Sequence, residues 1–73
     1  MSKEVGTRVV RKRDGATGTI VERRLAVPAV AHPGVFGKTI VSVRLDDAAL
    51  NAAAGGDQVG DLGWLRSHFR AAL

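Results

Sequence analysis

Two runs of β-branched and long basic side chains, residues 5–13 and 17–24, lie on either side of Asp14-Gly15. Branched side chains suit a pleated surface, and glycine takes the positive φ that a tight reversal needs. The pair of runs therefore reads as a β-hairpin. No other feature constrains the fold as much, because it commits the first third of the chain to antiparallel β-structure. A two-residue turn at Asp14-Gly15 would set Val10 opposite Thr19 and Arg8 opposite Val21. A three-residue loop of Asp14, Gly15 and Ala16 sets Val10 opposite Ile20, Val9 opposite Val21 and Arg8 opposite Glu22. The second register matches apolar with apolar and charge with counter-charge, pairs that contribute roughly 0.2–1 kcal/mol each, and is the one expected. It puts Val9 and Val10 on opposite faces, which a bulge between them would undo.

After the hairpin, Pro28 and Pro33-Gly34 break any regular element, so residues 25–38 read as a loop. It is apolar for a loop, carrying Leu25, Val27, Val30, Val35 and Phe36. Such a loop either folds over the open end of a barrel or serves as a partner-binding surface. Residues 39–45 alternate as a strand, with Ile40, Val41, Val43 and Leu45 apolar and Ser42 and Arg44 outward. Asp46 or Asp47 caps a short alanine-rich helix over 48–54, stopped by Gly55-Gly56. Asp61 reads as a second cap, followed by a C-terminal helix with Leu62, Leu65, Phe69 and Ala72 or Leu73 on one stripe. Arg66 and Arg70 flank that stripe on one side, Trp64 and His68 on the other.

The chain has 73 residues, which suits a single domain over 1–73. A core that small is marginal, and self-association is the open route to extra stability because there is no cysteine for a disulfide. The longest apolar stretch is far short of the roughly 20 residues that span a bilayer, and the start has no signal-peptide pattern. A cytoplasmic protein is the expectation.

The net charge is +4 and unevenly spread. Residues 1–24 hold seven basic and three acidic side chains, and residues 25–61 hold two basic and four acidic. The basic set Arg8, Arg11, Lys12, Arg13, Arg23 and Arg24 is the candidate nucleic-acid-binding group, through phosphate contacts. In the expected register Arg11 and Arg13 share a face with Arg23, and Arg8 shares the other with Lys12. With Phe36, Trp64 and Phe69 the only aromatic residues, base stacking has few candidates, so backbone contacts with low sequence specificity are expected.

No catalytic, cofactor or metal motif stands out. Gly34-Val35-Phe36-Gly37-Lys38-Thr39 imitates a phosphate-binding loop. It lacks the first glycine, the position being His32, and strand chemistry follows where a helix is needed. Ser2, Ser42 and Ser67 are not in nucleophile-elbow settings. Asp46-Asp47 serves as cap and turn better than as a metal site.

The run from Val5 through Gly6, Asp14-Gly15, Gly18, Ile20 and Val21 to Glu22 resembles the opening hairpin of Src-homology-3-like small barrels and is similar to the KOW pattern. That resemblance implies a mainly β fold. The expected form is an Src-homology-3-like small barrel or strongly bent antiparallel sheet with a short Ala-rich helix and a C-terminal helix. The rival is an open three-stranded sheet carrying two helices. Families of this kind bind RNA, ribosomal partners, RNA polymerase or other proteins. The hairpin also resembles that of the type II dihydrofolate reductases. Where those enzymes have Val-Gln-Ile-Tyr, Ile40-Val41-Ser42-Val43 stands here and the chain has no tyrosine, so no active-site residue carries over. The leading expectation is a basic adaptor domain that contacts nucleic acid, or a nucleic-acid-associated machine, through its first hairpin. The alternative is a protein-interaction or inhibitor module, oligomeric in one version, that uses the apolar 25–36 segment.

Overall fold

The first strand, β1 (Arg8–Arg11), and the second, β2 (Thr17–Ala26), form the expected hairpin, but through a longer turn. A computed structural model describes residues 3–26 and 37–72. In it the Arg11 amide donates to the Ala16 carbonyl at 2.7 Å and the Gly15 amide to the Arg11 carbonyl at 2.8 Å, with Gly15 at φ +74°. Four residues, 12–15, therefore make the reversal. Val10 pairs with Thr17, Val9 with Gly18 and Arg8 with Thr19, in place of Ile20, Val21 and Glu22.

Two local causes set this register. The Asp14 carboxylate accepts the Ala16 amide at 3.1 Å and both arms of the Arg11 guanidinium, which ties the longer turn together. Gly18 sits where a Cβ would lie 2.8 Å from the Arg44 carbonyl oxygen, so no larger residue fits between Val9 and the next strand. The bulge falls in β2, between Ile20 and Glu22, and not between Val9 and Val10. Val9 accordingly faces the core and Val10 the opposite face, where it is also buried.

The remaining elements are β3 (Lys38–Leu45), α1 (Ala48–Ala53), β4 (Gln58–Asp61), α2 (Leu62–His68) and β5 (Phe69–Ala71). The five antiparallel strands lie in the order β4-β3-β2-β1-β5 and curl into a half-barrel with two short helices, so the fold is mainly β. The expected loop is shorter than residues 25–38. Leu25 and Ala26 continue β2 and pair with Thr39 and Lys38. Val27, Val30, His32, Val35 and Phe36 lie outside the described residues.

The C-terminal helix stops at His68, not at the end of the chain, because Phe69 turns extended at φ −131°, ψ 154°. Strand pairing explains the stop. Without β5, β1 would leave a row of backbone groups without partners. With it, the Lys12 amide reaches the His68 carbonyl at 2.8 Å and the Ala72 amide reaches the Arg8 carbonyl at 3.1 Å. Phe69 stays in the core either way, since residue 69 faces inward opposite Arg11.

The core is the cluster Val9, Ile20, Val41, Val43, Leu45, Leu65 and Phe69, with Ala16, Leu62 and Trp64 packed against it. Both caps are where the sequence puts them. Asp47 accepts the Ala49 and Leu50 amides at 2.9 and 3.2 Å, and Asp61 accepts the Trp64 amide at 2.8 Å. Helix α1 buries no side chain. Its anchor is Asn51, whose Oδ1 accepts the Leu45 amide at 3.1 Å. Among the described residues no helix is long and apolar enough to cross a membrane.

Candidate functional site

The six basic residues singled out in the sequence do not form one patch. Arg8 is on the outer face opposite Thr19, with its guanidinium against both oxygens of Asp46 and against Thr19 Oγ1. Arg23 and Arg24 are in the far half of β2, paired with Glu4 at 2.9 Å and Glu22 at 3.4 Å. Arg23 is six positions beyond Thr17 along the strand, about 20 Å at the usual rise. Arg11 and Arg23 do share the inner side of the sheet, but at opposite ends. Arg44 is likewise occupied, by Asp57 at 2.9 Å.

Arg11 is the exception in burial, only 5% exposed. It is directly opposite Phe69, so its aliphatic stem runs along the core while its head reaches the end of the half-barrel. There Nε and Nη2 grip Asp14 at 3.0 and 2.6 Å as a bidentate fork. Its Nη1 is buried with no hydrogen-bond partner among the described residues.

Lys12 and Arg13 remain on the turn, exposed and with no ion pair among the described residues. Further cations lie on the adjoining α2 and β5. Lys12 Nζ donates to the Arg66 carbonyl at 2.7 Å, which draws the turn onto α2. Arg70 pairs with Val10, two residues before Lys12, and is exposed with Arg66. The i,i+4 spacing of Arg66 and Arg70 was legible in the sequence. The pairing of β5 with β1, which sets Arg70 opposite Val10, was not.

Beside this corner a cavity of about 270 Å³ opens between the turn, β4 and α2. Arg11, Lys12 and Arg13 line one side, and Gln58, Trp64 and His68 the other. Gln58 pairs with Val43 and so faces inward, and its Oε1 is the second buried side-chain atom without a partner among the described residues. Trp64 packs with Phe69 at 5.6 Å and His68 at 5.9 Å between ring centroids. Gln58 was missed in the sequence because β4 was missed. Its four residues are set among glycines, with too little alternation to read as a strand.

Two carboxylates are strongly depressed. Asp14 falls to about 2, chiefly through its hydrogen bonds to Arg11 and then to the Ala16 amide. Asp46 also falls to about 2, through Arg8 and then the Thr17 hydroxyl. Both folded values lie below the unfolded ones, so the stability they contribute is complete above the ordinary carboxylate range and is lost as pH falls toward about 2. The urea midpoint should hold steady from neutral pH down to about 5 and drop between about 4 and 2. In a variant carrying both Asp14→Asn and Asp46→Asn that drop should be shallower.

Of the apolar residues assigned to a partner surface, Leu25 is described, and it is 64% exposed at the far end of β2. No protein-family model matches the chain, and no curated protein or solved structure matches it either.

Proposed function

We propose that this domain binds nucleic acid through the corner formed by the β1–β2 turn and the α2–β5 junction. The observation that carries this reading is the sorting of the cations. Arg8, Arg11, Arg23, Arg24 and Arg44 are matched with carboxylates of the same chain, whereas Lys12 and Arg13 on the turn, and Arg66 and Arg70 on the adjoining α2 and β5, form no ion pair among the described residues. Cations without a carboxylate partner are available for phosphate contacts. The half-barrel and its glycine-punctuated hairpin also fit an Src-homology-3-like barrel with a KOW-like opening. The reading is of a binding module, with Trp64 beside the cations as the stacking residue that the hairpin itself lacks.

Fluorescence-anisotropy titration of mixed-sequence single-stranded DNA and RNA across a salt series tests this. Four phosphate contacts predict a slope of log affinity against log salt of about −3. No binding even at low salt would turn these residues into solubility charge. The second reading, a protein-interaction module, draws on the far end of the molecule. There Leu25 is exposed on the inner side, in sequence with the apolar residues 27–36.

A further inference from the structure

We infer that the cavity beside the turn receives one unstacked nucleobase of a bound strand, an assignment that rests on the nucleic-acid reading above. Arg11 Nη1 and Gln58 Oε1 are the buried side-chain atoms left without a partner among the described residues, and both belong to residues that line this cavity. They come from β1 and β4, strands that are not neighbours in the sheet, and the curl of the half-barrel brings them to one space. A buried donor and a buried acceptor left unmade each carry a desolvation cost. An occupant that offers an acceptor to one and a donor to the other relieves both.

The edge of a nucleobase has that form, a carbonyl or ring nitrogen beside an N–H or amino group. The soft terminal torsion of Gln58 lets its amide turn toward such an edge at little cost. Arg11 is held by Asp14 through its other two nitrogens, which leaves Nη1 as its unpaired donor among the described residues. Trp64 supplies an aromatic wall, and stacking on such a ring is indifferent to which base is present. At about 270 Å³ the space suits one ring system with its sugar and not a larger ligand. The rim carries Lys12 and Arg13, the wall carries His68, and no carboxylate among the described residues lines the cavity. A base entering there has cations at hand for its phosphate.

Trp64 is the only tryptophan, so its fluorescence reads the cavity directly. The protein is titrated with uridine and adenosine 5′-monophosphates, with ribose 5-phosphate as the probe that lacks a base. Saturable quenching by the nucleotides, tighter than by ribose 5-phosphate, is the expected result. Gln58→Leu should weaken it about tenfold, as the loss of one hydrogen bond to a buried group does. If ribose 5-phosphate performs as well, or if no nucleotide perturbs Trp64 while oligonucleotides still bind with a steep salt slope, the base site is overturned and the surface reading survives. If neither nucleotides nor oligonucleotides bind, both fall. The wild-type titration decides the matter even if Gln58→Leu does not fold.

Discussion

Replacing Phe69 with alanine should lower the unfolding free energy by about 3–5 kcal/mol, the cost of deleting a fully buried aromatic ring. A domain of this length has roughly 4–11 kcal/mol in total, so the variant would lose about a quarter of its stability at the least. Three features place Phe69 at the upper end of that range. It is 1% exposed and among the largest fully buried side chains. It packs against Trp64, at 5.6 Å between centroids. It is also the first residue of β5, so the cavity would open where the last strand pairs with β1. Urea unfolding followed by Trp64 fluorescence measures the loss. Leu50→Ala, on a helix with no buried side chain, should stay within about 0.5 kcal/mol. Equal losses in the two variants would show that the core is not centred where the structure places it.

Gly60→Ala should act on Trp64 almost as directly as mutating the tryptophan. Gly60 pairs with Val41 and faces inward, and a Cβ there would lie 2.6 Å from Trp64 Cγ and closer still to Cδ2 and Cε3. No rotation of a flexible chain end relieves that overlap, because the atoms met belong to the rigid indole. The ring must move out. Overpacking of this kind costs about 1–3 kcal/mol, and the emission of the displaced indole should shift to the red. Since Trp64 is a wall of the cavity, mononucleotide quenching should weaken in the same variant. An alanine accepted with unchanged emission would mean that the indole does not rest on Gly60.

The hairpin, β3, the two aspartate caps and the mainly β class were legible because each has a local signal. Alternation marks β3, glycine marks the turn, and Asp47 and Asp61 stand ahead of their helices. The turn length was not legible. Counting cross-strand pairs favoured Val10 with Ile20, whereas the turn is set by the Arg11–Asp14 fork and by the lack of room at Gly18. The stripe of Leu62, Leu65 and Phe69 is helical in spacing, yet Phe69 is in a strand, because pairing with β1 is a non-local reward that periodicity cannot register. The candidate site shows the same division. Net basicity of the first third was plain, but which cations are matched depends on Asp46, Asp57 and Glu4, carboxylates that only the folded chain brings alongside. Gln58 and Arg11 come to line one cavity only through the curl of the sheet.

In the proposed function, position and not total charge makes the binding surface. Two double variants of equal charge change test it side by side: Lys12→Glu with Arg13→Glu at the turn, and Arg23→Glu with Arg24→Glu about 20 Å along β2. That separation is about two Debye lengths at 0.1 M salt. In anisotropy titrations of single-stranded RNA, the turn variant should bind more than tenfold more weakly, with a salt slope shallower by about 1.4. The distal variant should stay within about twofold of the parent chain. Equal weakening by both, or greater weakening by the distal pair, would contradict the claim.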